Sequence, residues 1–154
     1  MATREIENIE ISDEEIGHGA FGMIYEGYDK LTEKKVAVKN LHRFEESSIK
    51  KYNDTMMDGK LKHKNIVNII KTLQVNSTFY IIMELCNADL DNYFLGNFDE
   101  ITEMYKLIFM LQIACAVTHL HRCNVIHRDI KPGNILVKQN ENFLHAHNQY
   151  PCLK

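Results

Sequence analysis

The stretch NVIHRDIKPGNILV, Asn124–Val137, decides how the rest of the chain is read. It packs His127, Arg128, Asp129, Lys131 and Asn134 between Val125-Ile126 on one side and Ile135-Leu136-Val137 on the other. Polar and charged residues crowded between hydrophobic ones mark a working site more often than a solvated loop. A satisfied polar turn after a helix is the alternative.

Composition bounds what such a site could serve. The chain has 154 residues, 45% apolar and 25% charged, which suits one domain, or a large lobe plus a small one. The net charge is −3 and basic residues do not run in blocks, so neither nucleic acid nor an anionic membrane is an expected partner. Cys86, Cys115, Cys123 and Cys152 form no C-x-x-C pair, which fits free thiols in a reducing compartment. The most apolar window, Leu107–Val117, is about half the ~20 residues of a membrane span and reads as a buried helix. The N-terminus is polar and acidic, without the apolar core of a signal peptide. A cytoplasmic protein is expected.

Upstream of the quoted stretch, residues 1–12 read as a polar lead-in. Three short strands follow: one ending at GHGAFG (Gly17–Gly22), Met23–Asp29, and Lys34–Leu41 after the polar turn Lys30–Glu33. Residues 45–62 have modest helical spacing. NIVNIIKTLQV and STFYIIMEL read as strands around Asn76-Ser77. Asp89–Leu95 fits a short helix. A long helix capped by Asp99 or Thr102 runs to about His121 and is apolar on nearly every face, hence expected to be buried on most sides. Gln139–Lys154 has no period and reads as disorder or as sequence foreign to the domain.

Gly17, Gly19 and Gly22 form a G-x-G-x-x-G array, whose bare backbone N–H groups can approach phosphate oxygens. It lies between two strands, which disfavours a dinucleotide-binding turn, and lacks the Gly-Lys-Ser/Thr ending of a P-loop. Lys39, seventeen residues after Gly22, is a lysine inside an apolar strand. It either snorkels at an edge or presents its ammonium to the phosphates of a nucleotide.

GHGAFGMI, VAVK, HKNIV and HRDIKPGN together resemble the eukaryotic protein kinase family, from about Asp13 to Val137. The resemblance implies an α+β fold: a complete β-rich N-lobe, then the first helices and catalytic loop of a helical C-lobe. It divides the chain into a lead-in at 1–12, N-lobe and hinge at 13–86, partial C-lobe at 87–138 and an atypical tail at 139–154. ATP and Mg²⁺ are the implied cofactors and a protein hydroxyl the implied substrate; a kinase dimer partner is left open. Gly17, Gly19, Gly22, Ile24, Ala37 and Lys39 would face the nucleotide. Met83 would be the gatekeeper, Glu84 and Cys86 would meet the adenine edge through backbone atoms, and Asp89 would reach the ribose. Counting nine residues back from His63 places Asp54 where the family has a glutamate that pairs with the lysine, with Asp58 as a substitute. Asp129 would accept the hydroxyl proton, Lys131 would neutralise the γ-phosphate, and Asn134 would offer an oxygen to Mg²⁺. Arg128 would meet a phosphorylated loop and His127 would support the loop backbone. Lys131-Pro132 resembles the serine/threonine type.

More narrowly, ELCNADLDNYF and HLHRCNVIHRDIKPGNILV look like the kinase–endoribonuclease sensors of the unfolded-protein response, whose location would be the cytosolic face of the endoplasmic reticulum. The family's D-F-G motif is missing: around its offset the chain reads HAHNQ (His145–Gln149), and after Asp129 the only carboxylate side chain is Glu141. The expectation is therefore a kinase domain truncated before D-F-G and inactive as it stands, or a pseudokinase-like fragment that binds nucleotide or a partner without catalysis.

Overall fold

The computed structural model describes residues 3–19, 22–41, 50, 53–56, 59–96, 101–140 and 143–148. The chain divides into two compact units, Met1–Asp58 with Asn68–Leu85, and Gly59–Val67 with Cys86–Lys154.

The first unit is a six-stranded antiparallel sheet. Its strands are β1 (Thr3–Ile6), β2 (Ile9–Gly19), β3 (Gly22–Asp29), β4 (Lys34–Leu41), β5 (Ile69–Val75) and β6 (Thr78–Glu84), in the order β1-β2-β3-β4-β6-β5. The strands after Asp13 fall close to where their alternation predicts. The described part of the expected lead-in, residues 3–12, is strand and a tight turn. Ile6 pairs with Ile9 across a two-residue loop in which Glu7 takes a φ of 54°, the twist such tight hairpins favour. The alternation Ile9-Glu10-Ile11 buries both isoleucines completely, against Val36, Val38 and Ile82. Each contributes about 1.5–3 kcal/mol by leaving water. Glu5 and Glu10 face each other in register, a like-charge pair that the Lys30 ammonium reconciles at 2.9 and 3.1 Å.

The β3–β4 turn is organised by Asp29, which is 4% exposed. Its carboxylate accepts from the Leu31 amide (3.0 Å), the Thr32 hydroxyl (2.8 Å) and the Asn8 side-chain amide. Burial alone would raise its pKa, but the bonds from Thr32, Leu31 and Asn8 outweigh burial and hold it below the usual carboxylate value. The helical spacing expected over 45–62 is realised at residues 50 and 53–56, and residues 59–61 turn instead. The remaining positions of that span, Asp58 among them, lie outside the described residues. Asn53 accepts a 2.9 Å bond from the Thr72 hydroxyl and Met56 is buried, which ties this helical turn to β5.

In the second unit, β7 (Ala88–Asp89) leads into α1 (Leu90–Gly96), followed by α2 (Glu103–Arg122), a 3₁₀ turn (Pro132–Asn134), β8 (Ile135–Asn140) and β9 (Phe143–Asn148). Thr102 wins over Asp99 as the cap of α2, its hydroxyl accepting from the Tyr105 amide at 3.4 Å. Leu90, Phe109, Ile135 and Val137 form the core, with Tyr93, Phe94 and Ile113 around them. Two expectations need correcting here. Phe143–Asn148, within the segment read as foreign, is a strand that pairs with β8 from Ile135↔Asn148 to Asn140↔Phe143. And α2 is not buried on most sides: it buries Phe109, Ala116 and Leu120, while Met104, Leu107, Met110 and Leu111 are about half exposed or more. An apolar sequence can be buried only where a neighbour exists to cover it.

Candidate active site

Backbone pairing brings one set of the predicted residues together on the first unit. Gly17 opposes Ile24 on β3, Ile24 opposes Lys39 on β4, and Lys39 opposes Ile81 on β6. The next row on the same face runs Glu26, Ala37, Met83. Ile24, Ala37, Lys39 and Met83 therefore share one face of the sheet, opposite the face that Val36 and Val38 bury. Gly19 and Gly22 pair at the mouth of the β2–β3 hairpin. A Cβ on Gly22 would stand 1.8 Å from the Asn40 carbonyl oxygen, so β3 can lie against β4 there only as glycine. At Gly17 a Cβ would meet Ile24 at an ordinary 3.8 Å. Packing alone does not demand a glycine at that position.

Asp54 sits in the helical turn at 53–56 and is exposed. At the end of β6, Glu84 donates its amide to the Asn68 carbonyl (3.0 Å) and accepts the Asn68 amide on its carboxylate (2.7 Å). Cys86, half-buried, precedes the bond from the Asn87 amide to the Val137 carbonyl (2.9 Å). Asp89 has a partner within its own segment. Its carboxylate accepts from the Asn92 amide (2.8 Å) and the Asn92 side chain (2.6 Å), so it caps α1. An acidic residue just before a helix has two physical uses, and the sequence does not choose between them.

The catalytic-loop residues assemble within the second unit. His127 is buried, and its Nδ1 accepts from the Asp129 amide at 3.3 Å. Between them Arg128 adopts φ 65°, a left-handed conformation that costs a non-glycine residue roughly 1 kcal/mol and turns the chain so that the Asp129 side chain stays half exposed. The 3₁₀ turn, closed by the Asn134 amide on the Lys131 carbonyl (2.9 Å), returns Asn134 to Asp129. The Asn134 side-chain nitrogen donates to both the carbonyl (2.8 Å) and Oδ2 (2.7 Å) of Asp129. Lys131 Nζ stands 3.4 Å from the same Oδ2. Ile135 and Val137 anchor the loop in the core directly behind Asn134.

These neighbours set the electrostatics. The Asn134 amide, more than a slight burial that opposes it, and then Lys131, hold the Asp129 carboxyl below its usual value. At neutral pH it is a carboxylate whose Oδ2 is already engaged. It is better suited to orienting a hydroxyl than to removing a proton from it unaided. With its nitrogen committed to Asp129, Asn134 has its oxygen left for a cation. The mutual grip of Asn134 on Asp129 is legible only in the structure, since sequence assigns the two residues separate roles.

The chain matches the protein kinase domain family over residues 11–146. It belongs to that family. The kinase domain match reaches into the segment read as atypical, in keeping with the pairing of β9 to β8. The domain is also similar to the calcium/calmodulin-dependent protein kinase type II of Schizosaccharomyces pombe, 31% identical over 142 residues, which cover 90% of this chain and 28% of that protein. Neither comparison supports the narrower likeness to kinase–endoribonuclease sensors. Kinase domains generally use ATP and Mg²⁺. Among the described residues of this one, no three His, Cys, Asp or Glu side chains cluster as a metal site. The oxygens of Asn134 and Asp129 suit a Mg²⁺ that arrives on a nucleotide and keeps its phosphate and water ligands, not a free ion held by protein alone.

Proposed function

We propose that the chain is the nucleotide-binding part of a serine/threonine protein kinase domain, with Asp129 orienting the acceptor hydroxyl. The observation that carries this reading is the fixed Asp129–Asn134–Lys131 constellation, supported by the similarity to a serine/threonine kinase. ATP would lie against the sheet face of Ile24, Ala37, Lys39 and Met83, under the hairpin of Gly17, Gly19 and Gly22. The Glu84–Cys86 backbone would meet the adenine, and Asp54 would be the anion for Lys39. Mg²⁺ bound with ATP would screen the phosphates, and the Asn134 oxygen would hold it. Lys131, whose side chain is 59% exposed, would turn from Asp129 to the γ-phosphate. The cytosol is the setting we propose, and protein hydroxyls the substrate class.

A second reading is nucleotide binding without transfer. Its support is that the chain reads HAHNQ at His145–Gln149, around the offset of the family's D-F-G aspartate, whereas phosphoryl transfer leans on charged Mg²⁺ ligands. Two measurements test the pair of readings. Calorimetry with ATP should show binding that Lys39→Met weakens, and its absence in a folded sample overturns both. Radiolabel transfer to a generic serine/threonine substrate separates them. We expect negligible transfer by these 154 residues. Robust transfer abolished by Asp129→Asn would overturn the second reading.

A further inference from the structure

The loop Gly59–Val67 packs on the C-terminal end of α2 and concentrates positive charge there. Leu61, Asn65, Ile66 and Val67 point inward, and Lys60, Lys62 and Lys64 are exposed. Two turns hold the loop, from the Lys62 amide to the Gly59 carbonyl (3.2 Å) and from the Ile66 amide to the His63 carbonyl (3.0 Å). Three contacts pin it to the helix. His119 Nε2 meets the Lys60 carbonyl at 2.8 Å, the Cys123 thiol donates to the same carbonyl at 3.5 Å, and the His63 and His119 rings stack at 4.9 Å. Arg122 belongs to that last turn of the helix.

No Asp or Glu occurs in Gly59–Val67 or anywhere from Lys106 to Arg128. Among the described residues, no carboxylate is ion-paired with Lys62, Lys64 or Arg122. The local field registers on His63, whose pKa is held below its ordinary value first by burial, then by His119 and Lys64. The negative end of the helix dipole accounts for Arg122 and the histidines near it. Lys62 and Lys64 lie on the loop and add to that charge. A protein of net charge −3 thus carries here, among the described residues, three exposed cations, Lys62, Lys64 and Arg122, with no carboxylate ion-paired to them.

We propose that this loop-and-helix-end surface docks an acidic segment of a partner protein, one bearing clustered carboxylates or a phosphorylated side chain. Its chemistry disfavours the other polyanions. A single-stranded nucleic acid calls for exposed aromatic platforms beside the cations, and an anionic membrane for exposed apolar side chains that insert. The exposed large apolar residues of this unit, such as Leu107 and Leu111, lie outside both Gly59–Val67 and the Gln112–Cys123 stretch. Lysines on a compact loop suit carboxylate and phosphate as point charges.

Fluorescence anisotropy on the intact chain tests this, with labelled glutamate-rich, phosphoserine and glutamine peptides of equal length, a single-stranded oligonucleotide, and phosphatidylserine vesicles. We expect the glutamate peptide, the phosphoserine peptide or both to bind, and added salt to weaken that binding. Lys62→Glu/Lys64→Glu should weaken it roughly tenfold or more, and Arg122→Glu, on the other element, should weaken it too. Lys34→Glu, on the sheet unit, should leave it unchanged. Comparison of the two acidic peptides shows whether carboxylate or phosphate is preferred. Circular dichroism establishes that the variants fold, and the salt dependence of the unaltered chain stands if one does not. Equal binding of the glutamine peptide, indifference to both charge reversals, or tighter binding to the oligonucleotide or vesicles would overturn the proposal.

Discussion

β4 and α2 are both strongly apolar, and the structure treats them differently. In β4, Val36, Ala37 and Val38 are all buried, one face against the core and the other along the row toward Met83. In α2 the apolar residues run almost all round the helix, yet burial stops at Phe109, Ala116 and Leu120. A strand brings hydrogen-bonded neighbours that cover its flanks, and the hairpin at Glu7-Asn8 adds Ile9 and Ile11 above it. A helix satisfies its own backbone and recruits no neighbour by hydrogen bonding. Its surplus faces remain open unless another element packs there.

The largest test of that contrast is a pair of truncations. Ile82→Ala, in the sheet core, should cost about 2–5 kcal/mol in urea unfolding. Leu111→Ala, on the open face of α2, should change stability by no more than about 0.5 kcal/mol, and Leu107→Gln with Leu111→Gln should reduce binding of a hydrophobic dye. Equal losses from Ile82→Ala and Leu111→Ala would show that the open face is covered in solution.

Next in size is Gly22→Ala. Its Cβ would fall on the Asn40 carbonyl, a backbone atom with no rotamer to escape into. A loss of about 3 kcal/mol is expected, together with weaker ATP binding, and Gly17→Ala should be better tolerated in stability. Asp29→Ala should cost about 1–3 kcal/mol by leaving the Leu31, Thr32 and Asn8 donors without their acceptor.

The smallest effect concerns the covered side of α2. His63 has a folded-state pKa below its ordinary 6.5, so the unfolded chain takes up the proton first as pH falls. The contribution of His63 to stability is whole above about pH 6.5 and declines below it. His63→Asn should flatten the stability profile below about pH 6.5. An unchanged slope in that variant would mean that other groups carry it.

Much of this was legible beforehand, for reasons particular to each element. Period-two alternation marked β3, where inward and outward side chains alternate, whereas β4 and β6, buried on both faces at their centres, were marked by runs of apolar residues bounded by turns. The same alternation in Ile9-Glu10-Ile11 was outweighed by the acidic residues around it, of which Glu5, Glu7 and Glu10 find their cations in Lys30 and Lys71, distant in sequence. Gln139–Lys154 lacks a period, yet Phe143–Asn148 forms a strand because β8 supplies a ladder of backbone partners that does not depend on side-chain pattern. For Asp89 the sequence names a ribose contact by resemblance, and the structure adds that its carboxylate caps the helix it precedes.

By itself the sequence determined the family and the types of group at the site. His127, Asp129, Lys131, Asn134 and the three glycines are close along the chain or fall on recognisable strands, so local chemistry suffices to name them. Only the tertiary structure decided how those groups hold one another. Strand register lines Ile24, Lys39 and Ile81 into one row, a positive-φ Arg128 and a 3₁₀ turn bring Asn134 back onto Asp129, and the His63–His119 stack holds the lysine-bearing loop against the last turns of α2. Each of these depends on distances between residues that the chain separates. Those distances are set by which buried surfaces meet, and composition and spacing do not specify that.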